Sequence, residues 1–359
     1  LNAGPNLTVT ALADVFADRL NPLRERLKTE RGIEVPEGQC FLGFDAYEKL
    51  LETDVDVVLF ATPPHFRPDH FRAAVQARKH VFMEKPVAVD PVGARSVMAS
   101  ARKADVAGLS VVTGTQRRHQ ANYRACYEQI AAGAIGDIVS ANCYWNQGQL
   151  WYRERQDAWS DMEFMVRDWV NWCWLSGDHI VEQHVHNLDV IHWFTGKLPV
   201  RAVGFGSRER RVTGDQYDFF SIDYGYEGGM HVHSMSRQIN GCVNNVSEFV
   251  MGTKGWSDCH GRIVGLDGKT IWTYEGQGDL SPYVQEHVDL VTSIRTEEPF
   301  NEAATTAEST LVAIMGRISA YTGREVTWEQ MMGSDLRIGP ETYALASVEG
   351  EFPVPVPGA

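Results

Sequence analysis

The feature that most constrains the fold is a regular alternation of apolar runs and helical stretches over residues 7–114. Four short runs rich in β-branched residues have the pattern of buried strands, and they cover residues 7–14, 55–62, 80–86 and 108–114. The helical stretches cover residues 17–31, 44–51, 70–77 and 91–104. Strands that alternate with helices through short links are typical of βαβ units, so the sequence predicts a parallel sheet. Ligands of such sheets bind beyond the carboxyl ends of the strands.

Asp14 ends the first of these runs. If the sheet belongs to a dinucleotide-binding fold, its first strand and G-x-G-x-x-G turn are missing from the given chain, because residues 1–6 are too short to supply them. Asp14 would then end the second strand, accept hydrogen bonds from the adenosine ribose and repel a 2′-phosphate, which favours NAD over NADP. The alternative is that Asp14 caps the following helix.

The pattern changes from Tyr123 onwards. A helix over residues 123–132 and a strand over residues 138–145 lead into a loop rich in aromatic and charged residues. Longer strand patterns follow at residues 201–205, 219–226, 229–236, 246–252 and 255–258. Helices are predicted at residues 283–293 and 303–321. This order predicts a second, α+β domain with a large, open and mostly antiparallel sheet.

Residues 177–193 carry the strongest indication of chemistry. Read as one continuous helix, this stretch places Glu182, His186, Asp189 and Trp193 on a single stripe. A carboxylate one turn before an imidazole forms a proton-handling pair, because each group influences the charge of the other. We therefore expect Glu182 to orient His186. The alternative is a helix with polar residues in solvent and a few hydrogen-bonded histidines in the core.

Charge and composition exclude several classes of protein. The net charge of −14 argues against nucleic acid or an anionic membrane as the main partner. No stretch approaches the ~18 apolar residues of a membrane helix. The six cysteines are scattered without a CxxC pair and read as packing thiols. We expect a cytoplasmic protein, with periplasmic export left open if a signal precedes Leu1.

Four motifs in order resemble those of the Gfo/Idh/MocA oxidoreductase family. They are Ala61-Thr62-Pro63-Pro64-His65, Met83-Glu84-Lys85-Pro86, the turn Gly133-x-x-Gly136, and His186-x-x-Asp189-x-x-x-Trp193. The resemblance covers essentially the whole chain. It implies a Rossmann domain (residues 1–118), an α+β substrate domain (residues 119–345) and, beyond them, an extended Pro-rich tail (residues 346–359). It also implies NAD or NADP as cofactor and sugars, polyols or their derivatives as substrates.

The resemblance also implies roles for individual residues. Lys85 matches the family lysine near the nicotinamide and the reacting hydroxyl, and His186 matches the histidine that exchanges the substrate proton. Glu182 stands where many members have aspartate, and Asp189 matches the acid one turn further along. His184 occupies a place where members often carry glycine, so the chain resembles a distinct branch.

Two sets of binding residues follow from these positions. The expected cofactor-binding residues are Asp14, Thr62, Pro63, Pro64, His65, Glu84, Lys85 and Gln116. The expected substrate contacts are Arg117, Arg167, Asp168, Trp169 and Asp189. His231 and His233, together with the histidines of residues 177–193, would offer enough ligands for a metal ion. A hydride-transfer site explains residues 177–193 without a metal, so we expect no metal site.

The sequence leaves three functions open. The first is an NAD-dependent oxidoreductase that acts on a sugar or polyol, with Lys85 and His186 handling the proton. The second is a glycoside-cleaving enzyme in which tightly bound NAD oxidises the sugar transiently, with no net redox change. The third is a sugar-binding protein without activity. By analogy with such folds, a homodimer or homotetramer is expected.

Overall fold

The first third of the chain folds into two parallel sheets flanked by helices. The computed structural model describes residues 1–358. The strands are β1 (Leu12–Asp14), β2 (Cys40–Leu42), β3 (Val57–Phe60), β4 (His80–Met83) and β5 (Val111–Thr113). The helices between them are α1 (Ala17–Arg31), α2 (Ala46–Leu51), α3 (Arg67–Gln76) and α4 (Pro91–Val106). β1 pairs with β2, and β3, β4 and β5 pair in that order, all in parallel.

The two parallel sheets are not hydrogen-bonded to each other within residues 1–358. Leu59 on β3 is 63% exposed. In a dinucleotide-binding fold with strand order 3-2-1-4-5-6, β1 and β3 would flank the position of the first strand. The parallel, Rossmann-type architecture expected from the sequence is confirmed.

The second part of the chain builds one nine-stranded sheet. Its strands are β6 (Ile138–Gln147), β7 (Arg201–Ser207), β8 (Phe219–Gly225), β9 (His231–Gln238), β10 (Asn245–Gly252), β11 (Gly255–Ser257), β12 (Arg262–Gly265), β13 (Thr270–Thr273) and β14 (Val326–Thr327). The strand order is β13-β12-β11-β10-β6-β9-β8-β7-β14. β6 and β9 pair in parallel and the other pairs with a recorded register are antiparallel, which confirms the predicted open, mostly antiparallel sheet.

Helices cover one face of this sheet and leave the other open. The helices of the second part are α5 (Ala121–Ala131), α6 (Asp161–Arg167), α7 (Cys173–Ser176), α8 (His179–Glu182), α9 (Val185–Thr195), α10 (Pro282–Arg295), α11 (Ala303–Thr322) and α12 (Trp328–Gly333). Alternation along β9 buries Val232, Ser234 and Ser236 and exposes His231, His233 and Met235. No helix in the described part of the chain is long and apolar enough to cross a membrane.

The predicted central helix is interrupted. It forms two pieces, α8 and α9, with a break at Gln183 and His184. The amide of His184 bonds to the carbonyl of His179, five residues back, and the amide of His186 bonds to Gln183, three residues back. This change in the hydrogen-bond ladder alters the turn between Glu182 and His186.

Two helix contacts hold the two parts together. α10 returns to the sheet of β3, β4 and β5, where Leu290 packs with Phe82 and Val112. α11 lies between α4 and β7. The predicted Pro-rich tail is extended but docked, since Tyr217 donates a hydrogen bond to the carbonyl of Pro355 at 2.9 Å. The predicted domain limits at residues 118 and 345 stay predictions. The packing nevertheless brings the carboxyl end of β4 against α8.

Candidate active site

Lys85 is the point at which the two parts of the molecule meet. It follows β4, precedes a cis bond to Pro86 and is only 9% exposed. Its Nζ donates hydrogen bonds to the backbone carbonyl of Glu182 and, at 3.0 Å, to Glu182 Oε1. The ammonium group of Lys85, which follows β4, is therefore held in place by the carboxylate of Glu182, the last residue of α8.

The sequence predicts that Glu182 orients His186, but no such contact occurs in the described structure. Glu182 Oε1 pairs with Lys85, and its Oε2 accepts a hydrogen bond from the side-chain nitrogen Nε2 of Gln183. The expected contact assumed one continuous helix, and the break between α8 and α9 removes that geometry. Glu182 thus serves as the counter-ion of Lys85.

His186 contributes a buried imidazole that lies close enough to Lys85 to be affected by its charge. Its ring stacks on Trp145 with the centroids 5.6 Å apart and an interplanar angle of 23°. Burial, reinforced by the positive charges of Lys85 and Arg117, holds the pKa of His186 well below its usual range. Neither ring nitrogen is hydrogen-bonded within residues 1–358. The imidazole is therefore free to exchange a proton with a ligand.

The loop after β3 lies beside Lys85 and is held by its own contacts. Thr62 Oγ1 shares a hydrogen bond with His70 Nδ1 at 3.3 Å, and Pro63 precedes a short 3-10 turn, Pro64–Phe66. His65 Nε2 shares a hydrogen bond with the Tyr343 hydroxyl at 2.7 Å. Burial, followed by the charge of Arg337, lowers the pKa of His65 to about 3, so this ring packs as a neutral group.

Glu84 and Gln116 follow β4 and β5. Glu84 Oε2 accepts a hydrogen bond from the Lys85 amide at 3.3 Å. The Gln116 amide nitrogen reaches the Tyr283 hydroxyl at 3.5 Å, and its Oε1 is buried without a hydrogen-bond partner in the described chain. A buried amide oxygen without a partner can accept a hydrogen bond from a ligand group such as the carboxamide of a nicotinamide.

The contacts of Asp14 are compatible with both of its expected roles, which are ribose binding and capping of the following helix. One carboxylate oxygen accepts a hydrogen bond from the amide of Phe16 at 2.8 Å, which fixes the start of α1. Burial raises the pKa of Asp14, while the Phe16 hydrogen bond opposes that rise. Within residues 1–358 no side chain donates a hydrogen bond to the Asp14 carboxylate, so it can still accept one from a ribose hydroxyl.

Two expected substrate contacts are engaged in ion pairs. Arg117 pairs with the buried carboxylate of Glu248 and lies 5.6 Å from the centroid of Trp145. Asp189 accepts two hydrogen bonds from Arg118, at 2.8 and 2.9 Å, and one from Ser309 at 2.8 Å. The buried Asp189 carboxylate therefore holds α9 to its surroundings, and its role as a sugar contact stays a prediction.

The other three expected substrate contacts lie along α6 and the turn after it. Arg167 pairs with Asp18 at 3.0 Å and with Glu163 at 2.8 Å. Asp168 is fully buried and accepts a hydrogen bond from the Arg153 amide at 2.7 Å. Trp169 packs edge-on against Trp151. Arg167 thus reaches the first turn of α1, and no hydrogen bond in the described structure joins any of the three to Lys85.

The structure adds residues that the sequence reading missed. Trp145 supports the His186 ring, and Gln183 holds the second oxygen of Glu182. Trp145 is the last residue of the predicted strand at residues 138–145. Its position at the end of a strand could have indicated a place in the site. Arg67 is also buried beside these loops.

No cluster of three or more potential metal ligands occurs among the described residues. His231 and His233 lie on the open face of the sheet, where they contact Asp223 and Ser221. His184 lies on the opposite face, hydrogen-bonded to Ser234 at 2.6 Å. The set of histidines drawn from the sequence is therefore divided between two faces.

Comparisons with known proteins agree with this architecture. The model of an oxidoreductase family with an NAD-binding Rossmann fold matches residues 1–113, and that of the GFO/IDH/MocA C-terminal domain matches residues 123–257. The chain is 29% identical to a myo-inositol 2-dehydrogenase from Thermotoga maritima over 35% of this chain and 34% of that protein. It is 28% identical to an inositol 2-dehydrogenase from Acidothermus cellulolyticus over 77% and 76%.

Among solved structures, an aldose-aldose oxidoreductase from Caulobacter crescentus aligns with a TM-score of 0.70 at 20% identity, covering 89% of this chain and 91% of that one. A scyllo-inositol dehydrogenase from Lactobacillus casei aligns with a TM-score of 0.64 at 20% identity, covering 89% and 90%. These two likenesses concern the fold alone. The matched segment spans about a third of the length of the Thermotoga protein.

Proposed function

Because the chain belongs to the Gfo/Idh/MocA family of oxidoreductases, we propose that it is an NAD-dependent enzyme that transfers hydride to or from a CH–OH carbon of a sugar, polyol or sugar derivative. The observation that carries the proposal is the contact between Lys85 and Glu182 beside the free imidazole of His186. These groups come from the two parts of the molecule, and hydride transfer requires a cofactor from one part to meet a substrate held by the other.

The residues divide the chemistry of alcohol oxidation between them. When bound, a nicotinamide would accept the hydride, and Thr62, Glu84 and Gln116, which follow three parallel strands, would line it. The Lys85 ammonium donates a hydrogen bond to the reacting oxygen and stabilises its growing negative charge. His186, uncharged at neutral pH, accepts the hydroxyl proton. In the reverse direction His186 returns that proton.

Glu182 keeps the positive group in place. Both the side chain and the backbone carbonyl of Glu182 accept hydrogen bonds from Lys85, so the ammonium has a fixed direction before a substrate enters. A pre-oriented donor stabilises an oxyanion better than a mobile lysine because no reorganisation is needed as charge develops.

NAD is the proposed form of the cofactor. Asp14 ends β1 and Asp18 lies in the first turn of α1, and of these two carboxylates only Asp18 forms an ion pair with an arginine in the described structure. A 2′-phosphate at this position would face the negative charge of Asp14, whereas a ribose hydroxyl can donate a hydrogen bond to it. The partner is a small sugar-like molecule, and we further propose self-association through the open face of the large sheet.

The test uses the parent protein and the Lys85→Ala and His186→Ala variants with a panel of inositols, aldoses and simple glycosides. We expect each variant to lose about a thousandfold or more in NADH formation, followed by absorbance at 340 nm, while a cooperative thermal unfolding transition is retained. The Lys49→Ala variant, at a surface ion pair, is the matched control. Near-full activity of both variants would refute the assigned roles. Product formation with catalytic NAD and no NADH would instead indicate the glycoside-cleaving alternative.

A further inference from the structure

Arg67 links the two loops that carry the candidate catalytic and cofactor residues. It is the first residue of α3 and is 3% exposed. Its Nε donates a hydrogen bond to the carbonyl of Thr62 at 2.8 Å, and its Nη1 donates one to the carbonyl of Pro86 at 2.6 Å. One guanidinium group therefore bridges the loop after β3 and the loop that bears Lys85.

The burial of this cation is not compensated by a direct ion pair. No carboxylate lies within 4.0 Å of the Arg67 side chain in the described structure, and both acceptors of its hydrogen bonds are backbone carbonyls. Burial lowers the pKa of Arg67 to about 10, and the more distant charges of Glu84 and Glu182 oppose that effect. A buried guanidinium without a contacting carboxylate is costly, so its retention requires a gain from the loops that it joins.

We propose that Arg67 is a positioning residue, which sets the Lys85 ammonium against Glu182 and fixes its distance from the cofactor loop at Thr62. This inference rests on the proposed function of Lys85. Arg67 does not touch the reacting atoms. It acts through the carbonyl of Pro86, the residue that follows Lys85, and through the carbonyl of Thr62. Its planar fork spans both acceptors, which a lysine ammonium cannot reproduce with the same geometry.

A purely structural role makes a different prediction. If Arg67 only anchors the start of α3, its removal lowers the stability of the fold and leaves the turnover of the folded enzyme unchanged. If it positions Lys85, turnover falls even where the fold is intact, since a displacement of about 1 Å can cost about 100-fold in rate.

The experiment compares Arg67→Ala and Arg67→Lys with Arg72→Ala. Arg72 lies on the same helix and forms an exposed pair with Asp69, so its variant is the matched control. We expect kcat of Arg67→Ala to fall about 100-fold with the sugar KM changed less than about threefold. Guanidinium chloride at tens of millimolar should restore at least a tenth of the lost rate, and equal urea should not. Arg67→Lys should recover less than guanidinium does.

A second readout is independent of activity. Acetic anhydride labelling of the cofactor-free protein, followed by peptide mass spectrometry, reports how accessible Lys85 is. We expect labelling of Lys85 to be about tenfold faster in Arg67→Ala and unchanged in Arg72→Ala, because the contact with Glu182 loosens.

Three results would overturn the proposal. They are a kcat of Arg67→Ala within threefold of the parent, an equal rescue by urea, or an unchanged Lys85 labelling rate. If Arg67→Ala does not fold, a kcat of Arg67→Lys equal to the parent value counts against the proposal in the same way. Lys85→Ala is measured in parallel. Full activity of that variant would refute the proposed function itself rather than the role of Arg67.

Discussion

At the scale of single residues, the site separates a charged group from a neutral one. Glu182 pairs with Lys85, which leaves His186 without a counter-ion in a buried position. Burial then favours the neutral imidazole, and the neighbouring positive charges favour it further. Two proton-handling groups with different charges can therefore act together at neutral pH.

The Glu182→Gln variant tests this division. Its amide keeps the shape of the side chain but removes the charge that faces the Lys85 ammonium. We expect kcat/KM to fall about 100-fold and the free energy of unfolding to fall by about 3 kcal/mol, because a buried cation loses its partner. Glu182→Asp keeps the charge and should retain more activity. Equal activity of Glu182→Gln and the parent protein, in steady-state assays at pH 7.5, would contradict the role.

Glu286 gives a prediction of pH dependence. Burial, followed by the charge of Glu84, raises the pKa of this carboxyl from 4.5 to about 8, and its Oε2 has no hydrogen-bond partner in the described chain. A raised carboxyl pKa favours the fold only while the group is protonated. Its contribution is complete below about pH 4.5 and is lost as the pH rises through about 8.

The Glu286→Gln variant should therefore stabilise the protein at alkaline pH. We expect a gain of a few kcal/mol, ~2–4, in the free energy of unfolding at pH 8.5 and almost none at pH 4.5, measured by urea denaturation. Glu128→Gln, on the exposed side of α5, is the control for a change in net charge. An equal effect of Glu286→Gln at both pH values would show that the carboxyl is not protonated in the fold.

At the scale of elements, the strands were easier to predict than the connection that carries the site. The apolar runs of β3 and β4 and the helix α1 follow directly from their composition, and the structure shortens the strands by a few residues. The strands β12 and β13 were not predicted, because runs of four residues are too short to show a recognisable strand period. The orientation of Glu182 could not be read from spacing, because the break at Gln183 depends on tertiary contacts.

Those contacts begin at Asp178, which starts α8. Asp178 is fully buried with a φ of +71°. Its carboxylate accepts hydrogen bonds from the amides of His179 and Tyr217, at 2.5 and 2.9 Å, and from the Tyr321 hydroxyl. Burial alone would raise its pKa, but the hydrogen bond and the charge of His179 lower it. One carboxylate thus ties α8 to the large sheet and to α11.

The Asp178→Ala variant should remove that anchor. We expect a loss of about 3 kcal/mol in the free energy of unfolding, because three buried donors lose their acceptor. Activity should fall together with stability, since Glu182 lies on the same short helix. The measurement is urea denaturation followed by tryptophan fluorescence, with the exposed Asp157→Ala as control. A loss smaller than 0.5 kcal/mol, the size of an ordinary surface effect, would contradict the anchor.

At the scale of the whole molecule, the second part of the chain returns to the first part at several places. α10 packs on β4 and β5, and Arg167 of α6 pairs with Asp18 of α1. The tail is docked on the second part, where the Met162 amide of α6 donates a hydrogen bond to the carbonyl of Ala346. Just before the tail, the Tyr343 hydroxyl shares a hydrogen bond with His65 in the loop after β3. Such long-range contacts have no local pattern in the sequence, which explains why the tail was predicted only as an extended segment.

The open face of the nine-stranded sheet leads to a prediction about assembly. β7 and β9 present Val203, Phe205 and Met235 on the side away from the helices, and Phe205 is 66% exposed. A wide apolar face on a sheet is typical of a contact with another protein surface. In a two-fold dimer the same face of each copy meets its equivalent, so one chain suffices to cover it. We therefore expect the parent protein to have about twice the chain mass of 40.2 kDa.

The double variant Phe205→Asp/Met235→Asp should separate the copies. Each dimer would bury four new carboxylates without partners, and a buried unpaired charge costs several kcal/mol, which exceeds what a face of this kind can offset. Light scattering after size-exclusion chromatography at micromolar concentration should then give the mass of one chain. Val106→Asp, which changes an exposed residue at the end of α4, should leave the parent mass unchanged. A double variant with the parent mass would place the contact elsewhere. Because Lys85 and His186 lie on the helix-covered side, we expect the separated chain to retain turnover, which distinguishes loss of assembly from loss of the site.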